Sequence, residues 1–289
     1  HKINFSIRQW QILLSFWLHR SISTLLNRFN KIEKTFNENL ISKISLYKNE
    51  IYDLVNFKTE DISTNSRDVY WNNIIYDQII KFKEININID YIKKDKINDS
   101  FYIKKNSFIV KSKSFIKQLI NQINKEKIQN SKSLIFESCL SNIDNKKLIQ
   151  YYDQPKLFVS DYSPNNIKIN YDLRDELSEK IGKKFESKFE EFLKKMVFKI
   201  FPVCYLENFK DLKFRCENSI LPKNPKFIFT SNAFDTNELF KMFICLKIKN
   251  TNSKPQLEKL LKLDFSNSIK DKFFNMDIPF TSFYLSSNC

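Results

Sequence analysis

Residues 221–249 have the sequence LPKNPKFIFTSNAFDTNELFKMFICLKIK. The two prolines near its start disfavour a helix and keep the neighbouring residues extended. The short run Phe227–Phe229 that follows is aromatic and β-branched, which is typical of a buried strand. Because all three side chains are apolar, we expect this strand to be central in its sheet and covered on both faces. Ser231 and Asn232 end the run.

A helix is predicted directly after this strand. Asp235 can cap its first turn, and Glu238, three residues later, has the spacing of a capping box. From Thr236 onward the apolar residues recur at three- and four-residue steps, as they do on one face of a helix. Residues 221–249 are therefore predicted to fold as a strand, a tight loop and a capped helix, which is one half of a βαβ unit.

The loop between this strand and this helix is the first candidate binding site. In open α/β sheets, ligands bind beyond the carboxyl ends of the strands, and free N–H groups at a helix start, here near Thr236, attract anions. Thr230, Ser231 and Asn232 occupy this position, and their hydroxyl and amide groups suit sugar hydroxyls. The alternative is that Ser231 and Asn232 only form the turn, and the sequence favours neither interpretation.

The composition excludes several classes of nucleotide-binding site. The chain has 289 residues and a single glycine, Gly182, whereas glycine usually makes up about 7% of a protein. The sequence therefore contains no Walker A loop, no GxGxxG loop and no nucleophile elbow. The five cysteines and two histidines match neither a zinc-site pattern nor a disulfide framework. We predict no metal site and no cofactor held by this chain.

The net charge of +15 raises the question of nucleic-acid binding. Most of the 48 basic residues are lysines, and they are spread along the chain between acidic residues. Proteins that read bases favour arginine for bidentate contacts, and the sequence has no motif of a nucleic-acid-binding module. We interpret the charge as a lysine-rich surface and expect no specific nucleic-acid partner. Non-specific attraction to an acidic membrane surface or to anionic sugar phosphates remains open.

Three charged residues elsewhere are further candidates for substrate binding. Residues 4–38 are predicted to form one long helix, along which Arg8 and Arg20 offer guanidinium groups suited to phosphate or carboxylate. The favoured alternative is that both are flanking charges with apolar stems. Glu207 lies at a predicted junction between an extended segment and a helix, where a glutamate can act as a base or bind sugar hydroxyls. A helix-terminal charge is the favoured interpretation there.

The rest of the chain is predicted to be mostly helical. Strict alternation in ININIDY, residues 85–91, predicts one strand. Residues 39–63 are predicted to continue as helix and then to break into a polar loop. Residues 202–214 are predicted to be extended and then helical. Apolar spacing predicts helices over 71–82, 112–129 and 172–200, and a helix pair or a helix and a loop over 133–141 and 147–152.

Four blocks of the sequence resemble a known family. The strand ending in FTSN, followed by a capped helix with ELFK, is similar to a family of transferases found in O-antigen and other surface-carbohydrate gene clusters. The other blocks are SIRQWQILLSFWLHRSISTLLNRFNKIEKTF, IFESCLSNIDNKKLIQYYDQPKLF and FPVCYLENFKDL. They occur in the family's order and cover about half of the chain, and none of them is a known catalytic signature.

The resemblance implies an enzyme that transfers a sugar or related group during surface-polysaccharide assembly, in the cytoplasm and at the inner membrane surface. It implies an α/β, helix-rich fold with a Rossmann-like layer in the C-terminal part, like the N-terminal half of a two-domain GT-B-like transferase. This chain would then be mainly the acceptor side and would bind a sugar or lipid-linked sugar. A nucleotide-sugar donor would be held by other parts of the full-length protein.

The chain departs from the resembled family after Lys249. The family continues there with a loop that contains glycine and histidine and then a second α/β domain, and residues 250–289 match neither. Because the chain also begins with His1, we expect a fragment. Its predicted parts are a helical part (1–130), an α/β Rossmann-like part (131–249) and a divergent or truncated tail (250–289). The alternatives are a non-catalytic binding fragment or subunit and, more weakly, a lysine-rich non-specific nucleic-acid binder.

Overall fold

The computed structural model describes residues 4–93, 108–159, 161–163, 168–182 and 185–250. In this part of the chain the fold is α/β and helix-rich with small parallel sheets, which confirms the predicted class. The chain divides into two units. Unit 1 comprises His1–Ile12, Lys105–Asp161 and Arg215–Cys289, and unit 2 comprises Leu13–Lys104 and Tyr162–Phe214. Beyond Asn250 the predicted tail lies outside the described residues, and the three predicted parts stay predictions.

The described residues form mainly helices, together with four short strands. The described helices are α1 (Ile7–Glu38), α2 (Asp61–Asn65), α3 (Val69–Phe82), α4 (Phe108–Ile123), α5 (Lys125–Asn130), α6 (Asn142–Tyr151), α7 (Tyr171–Lys180), α8 (Lys188–Val197), α9 (Val203–Leu206), α10 (Phe209–Glu217), α11 (Ala233–Thr236) and α12 (Glu238–Asn250), with a 3₁₀ turn at Ile51–Leu54. The described strands are β1 (Lys43–Tyr47), β2 (Asn88–Ile92), β3 (Ser133–Ile135) and β4 (Phe227–Phe229). β1 pairs in parallel with β2, and β3 pairs in parallel with β4.

Unit 2 has a large apolar core built mainly by α1, α3 and α8. The buried members of this core are Trp17, Leu25, Phe29, Leu54, Ile62, Trp71, Ile74, Ile75, Ile79, Phe192, Met196 and Ile200. The helical spacing predicted for residues 4–38 and 71–82 is confirmed by α1 and α3. Asp68 caps α3, because its carboxylate accepts a hydrogen bond from the backbone N–H of Trp71 at 2.7 Å.

The small sheet of unit 2 confirms one prediction and corrects another. The alternating segment ININIDY contributes to β2, which pairs with β1 from Lys43 opposite Asn88 to Tyr47 opposite Ile92. The prediction that residues 39–63 continue as helix is wrong, because α1 ends at Glu38 and β1 begins five residues later. The side-chain amide of Asn39 donates to the carbonyl of Thr35 at 2.9 Å, which helps to close the last turn of α1.

The helix predicted over residues 172–200 is two helices in the structure. α7 ends at Lys180 and α8 begins at Lys188. Ser187 caps α8 by accepting from the N–H of Glu190 at 3.2 Å, and the Glu190 carboxylate accepts from the N–H of Glu186 at 2.7 Å. These reciprocal bonds resemble a capping box and start a new helix despite the continuous apolar spacing. The segment predicted to be extended after residue 202 is also helical, as α9.

The sheet of unit 1 differs from the predictions in two respects. Residues 133–141 were predicted to be helical in part, yet they begin with β3, which pairs with β4 from Ser133 opposite Phe227 to Ile135 opposite Phe229. Among the described residues, β4 has β3 as its single strand partner and is only partly buried, so the prediction of a central strand is wrong. An aromatic side chain covers it instead, because Phe227 stacks on Tyr152 with ring centroids 4.4 Å apart.

Left-handed backbone positions in this protein are filled without glycine. Among the described residues, positive φ occurs at Glu84, Glu137, Cys139 and Asp153, with values between 46° and 51°. Asp153 follows α6, where the N–H of Gln154 donates back to the carbonyl of Ile149 at 3.0 Å. This bond is the mark of a Schellman motif, whose left-handed residue is usually glycine because other residues are strained there.

Replacing Asp153 with glycine should therefore stabilise unit 1. We expect the free energy of unfolding to rise by about 1 kcal/mol, because relief of left-handed strain exceeds the entropy cost of glycine. Urea-induced unfolding followed by circular dichroism would measure it. Lys147→Gly, inside α6, is the matched control and should instead cost about 1 kcal/mol. Destabilisation by both substitutions would show that Asp153 is not strained.

Candidate functional site

Two loops meet at the carboxyl ends of β3 and β4 in unit 1. The N–H of Ser231, after β4, donates to the carbonyl of Glu137, after β3, at 3.0 Å. The hydroxyl of Ser231 also donates to the carbonyl of Ser138. The sequence predicted the loop after β4 at a strand end, and the structure places it there. The loop after β3 was not predicted, because residues 133–141 carry no clear strand pattern.

The start of the following helix differs from the predicted capping box. α12 begins at Glu238, and its cap is Asn237, whose side-chain oxygen accepts from the N–H of Phe240 at 3.0 Å. Asp235 lies within the short helix α11. Glu238 forms an ion pair with Lys241 at 3.0 Å, and both side chains are fully buried. The predicted capping box of Asp235 and Glu238 is therefore wrong.

The predicted anion site near Thr236 is also wrong. The N–H groups of Asp235 and Thr236 both donate to the carbonyl of Asn232, at 2.8 and 3.2 Å. The N–H of Ala233 donates to the hydroxyl of Thr230 at 3.2 Å. These groups are already paired within the loop and are not available to an anion. Thr230 is buried and acts as the cap of this turn.

Glu137 is a polar residue of this site that no sequence motif indicates. It has φ of 46°, and its carboxylate accepts from the hydroxyl of Thr236 at 2.8 Å and from the side-chain amide of Asn237 at 3.2 Å. The side chain is exposed. A carboxylate has room for further acceptor bonds after these two. Glu137 therefore presents an oriented acceptor at the open end of the sheet.

Asn232 carries the clearest sign of an unfilled contact. Its side-chain oxygen Oδ1 is buried and has no hydrogen-bond partner within the described part of the chain. An unpaired buried polar atom costs about 1–3 kcal/mol and is rare in folded proteins. The amide oxygen needs a donor from outside the loop to be satisfied. This arrangement suits a ligand with hydroxyl groups.

Glu207 is held by a buried arginine in unit 2. Its two carboxylate oxygens accept from Nε and Nη2 of Arg174 at 2.7 and 2.8 Å, and the N–H of Asn170 adds a bond of 3.2 Å. Arg174 also donates to the carbonyls of Phe198 and Phe201 at 2.7 and 2.9 Å. The contacts tie α7 to the segment after α8. They hold the Glu207 carboxylate in place. The predicted role of Glu207 in substrate binding stays a prediction.

The two arginines nominated on α1 lie at the surface. Arg8 is exposed in the first turns of the helix. Arg20 is also exposed, and its guanidinium carbon lies 5.6 Å from the centroid of the Phe16 ring one turn away. This contact is the kind expected for a flanking charge with an apolar stem. An anion clamp by Arg8 and Arg20 stays a prediction.

Two buried cysteines of unit 1, Cys216 and Cys245, are not suited to act as nucleophiles. Burial raises the pKa of the Cys216 thiol to about 12 and raises the pKa of the Cys245 thiol further. Both thiols are therefore protonated at neutral pH and poor nucleophiles. Cys245 instead donates to the carbonyl of Gln9 at 3.2 Å. Within the described ranges, no cluster of three or more His, Cys, Asp or Glu side chains could bind a metal.

A family model described as LIC12162 family transferase matches residues 1–253, a range that includes both loops and every residue nominated above. The chain belongs to the LIC12162 family of transferases. The transferase class implied by the resemblance is thereby confirmed. Comparisons of this LIC12162 family transferase with curated proteins and with solved structures gave no match. In the part of the chain that the structure describes, no helix is long and apolar enough to cross a membrane.

Proposed function

We propose that this LIC12162 family transferase transfers a glycosyl or related group during O-antigen or other surface-polysaccharide assembly. Unit 1 would bind the acceptor, a sugar or a lipid-linked sugar, at the loops after β3 and β4. The observation that carries the proposal is the buried Oδ1 of Asn232, which has no hydrogen-bond partner within the described residues. A sugar hydroxyl is a donor of the right kind for this oxygen.

The neighbouring groups support the same ligand chemistry. The carboxylate of Glu137 is exposed, and the hydroxyls of Ser231 and Thr236 lie in the same two loops. Sugars present hydroxyl groups that both donate and accept, and such mixed sets of carboxylate, amide and hydroxyl groups can match them. A phosphate would find no cation among these loop residues. This contrast favours the acceptor sugar over the nucleotide as the occupant.

The donor of the transferred group is proposed to be a nucleotide sugar. The sequence contains no glycine-rich phosphate loop, because Gly182 is its single glycine. We therefore place the nucleotide in other parts of a full-length, two-domain GT-B-like enzyme. Nucleotide sugars and lipid-linked acceptors would meet in the cytoplasm at the inner membrane surface. A non-catalytic binding subunit is the second candidate, and the same shortage of glycine favours it.

The first test compares Asn232→Ala with the unchanged full-length enzyme. We expect the affinity for a carbohydrate acceptor, or the transfer rate, to fall ten-fold or more, which corresponds to about 1.4 kcal/mol. The melting temperature should not fall, because Oδ1 makes no bond in the described protein that the substitution would break. Transfer from UDP-, GDP- and CMP-activated sugars to an oligosaccharide array, together with calorimetry on bound oligosaccharides, would measure both effects.

Asn145→Ala is the matched control in the same unit. Its Oδ1 accepts from the hydroxyl of Ser138 at 2.8 Å, so its loss should lower stability more than binding. If Asn232→Ala lowers the melting temperature and binding per folded molecule is unchanged, the loop is only a turn and the proposal fails. Saturable binding of oligosaccharides without transfer from any activated sugar would support the binding-subunit candidate instead.

A further inference from the structure

One face of α4 in unit 1 is apolar and exposed. Ile116, Leu119 and Ile123 are 55%, 41% and 82% exposed, and they lie three and four residues apart in the helix. Side chains at this spacing share one face of a helix. A single exposed apolar residue such as Leu40 is ordinary, whereas a continuous apolar face marks a contact with a partner or with a membrane. The proposed function does not use this face.

Contacts on the other side of α4 fix the direction in which this face points. The side-chain amide of Asn121 donates to the carbonyl of Phe158 at 2.6 Å and accepts from the N–H of Phe158 at 3.0 Å. One turn earlier, the ammonium of Lys117 lies 5.5 Å from the centroid of the Phe158 ring. At 3.6 residues per turn, Lys117 and Asn121 lie roughly opposite the apolar face. The helix is therefore anchored to unit 1 with its apolar face outward.

The charge of this region is one-sided. Residues 108–132 contain six lysines and a single acidic residue, Glu126. Lys117, Lys125 and Lys127 are exposed, and none of them takes part in a salt bridge within the described part of the chain. Lysines beside an exposed apolar helix face are complementary to a membrane surface with anionic headgroups. Nucleic acid would pair with the lysines but would leave the apolar face without a partner.

The length of α4 determines how it can meet a bilayer. The helix has 16 residues, which corresponds to about 24 Å at 1.5 Å per residue. The hydrocarbon core of a bilayer is about 30 Å thick, so α4 is too short to cross it. An amphipathic helix of this kind lies in the plane of the membrane surface, with its apolar side chains below the headgroups.

We infer that α4 binds the surface of an anionic phospholipid bilayer. Ile116, Leu119 and Ile123 enter the boundary between headgroups and acyl chains. Lys117 and Lys125 extend their apolar stems along this boundary and hold their ammonium groups at the lipid phosphates. The inference goes beyond the proposed function, because it concerns a different surface of unit 1 and holds whether or not the chain transfers a sugar.

The test measures sedimentation of the full chain with vesicles of phosphatidylcholine, with and without phosphatidylglycerol. We expect saturable binding to the anionic vesicles and at least ten-fold weaker binding to phosphatidylcholine alone. Combining Ile116→Asn, Leu119→Asn and Ile123→Asn should weaken binding to the anionic vesicles at least ten-fold. The combined variant should still unfold in one cooperative transition, because all three side chains are exposed. Leu40→Asn, at an exposed leucine of unit 2, is the matched control and should leave binding unchanged.

A tryptophan reporter shows which element enters the bilayer. The fluorescence of Leu119→Trp should shift to shorter wavelength when anionic vesicles are added, because the indole ring moves out of water. Leu40→Trp should show no added shift. Absence of saturable vesicle binding, or equal shifts at the two positions, would overturn the inference. If the chain instead forms a dimer that the combined variant dissociates, as measured by light scattering without lipid, the face contacts a second copy and the inference fails.

Discussion

Replacing Arg174 with methionine should lower the free energy of unfolding by about 3–5 kcal/mol, which is the usual cost of removing one partner of a buried ion pair. The side chain of Arg174 is fully buried, and that of Glu207 is only 6% exposed. The substitution leaves the Glu207 carboxylate without its cation and the carbonyls of Phe198 and Phe201 without their donor. Chemical unfolding monitored by fluorescence and circular dichroism would give the change.

Two comparisons show whether burial of the pair is the cause. The double variant Arg174→Met with Glu207→Leu should be less destabilised than Arg174→Met alone, because it leaves no unpaired charge. Lys34→Ala breaks the exposed pair with Glu38, whose atoms are 3.8 Å apart, and should cost at most about 0.5 kcal/mol. If Arg174→Met costs no more than Lys34→Ala, the pair does not anchor unit 2 and Glu207 becomes a stronger candidate for substrate binding.

The second large effect is expected from Trp71→Ala, which should cost about 3–5 kcal/mol of stability. Trp71 is 3% exposed and belongs to the core of unit 2. Its indole N–H also donates to the carbonyl of Leu54 at 3.2 Å, which fixes the 3₁₀ turn against α3. The substitution would therefore create a cavity and leave a buried carbonyl without a donor. Thermal unfolding of the purified variant would measure the loss.

Phenylalanine substitutions at two tryptophans separate the hydrogen bond from the packing. Trp71→Phe keeps most of the ring volume but loses the bond to Leu54. Trp17 is equally buried, yet its Nε1 has no hydrogen-bond partner among the described residues. Trp17→Phe should therefore cost about 1 kcal/mol less than Trp71→Phe, because it removes an unsatisfied donor. A larger loss of stability for Trp17→Phe than for Trp71→Phe would show that these substitutions do not separate the hydrogen bond from the packing.

The sequence predicted the elements whose signals are local. The apolar spacing of residues 4–38 and 71–82 indicated α1 and α3, since a helix forms its hydrogen bonds within the segment itself. β2 was visible as ININIDY, and β4 as three apolar residues after prolines. In each case the pattern of apolar residues lies within the segment itself.

The elements that were missed depend on distant partners. β3 has only three residues, and its backbone groups are satisfied by β4, which lies far along the chain. The N–H of Ile135 additionally donates to the side chain of Gln154. No local pattern encodes such pairing. The interruption between α7 and α8 was hidden for the opposite reason, because the apolar spacing continues across it while the cap at Ser187 starts a new helix.

The candidate site was predictable only in part. The position of Ser231 and Asn232 follows from the strand–loop–helix pattern, which is a general feature of α/β sheets. The partner loop with Glu137 required β3, and the unpaired Oδ1 of Asn232 is a matter of side-chain geometry that no sequence pattern contains. Similarly, the contact between Glu207 and Arg174 joins the end of α9 to α7, two elements that are separated in the sequence. It could not be distinguished from a helix-terminal charge without the fold.

The interleaving of the two units along the chain also sets the order of their completion on the ribosome. The whole of unit 2 has been synthesised once Phe214 is made, whereas unit 1 still lacks its segment from Arg215 onward. In the folded protein, the side chain of Gln9 donates a hydrogen bond to the carbonyl of Cys245 at 2.8 Å, and β3 pairs with β4. Neither contact can form until Cys245 and β4 have been synthesised. Since parts of a chain fold as their sequence becomes available, the loop that carries Asn232 can form only after the whole of unit 2 has been made. Chaperones and proteases that meet the growing chain therefore meet unit 1 before its sheet exists.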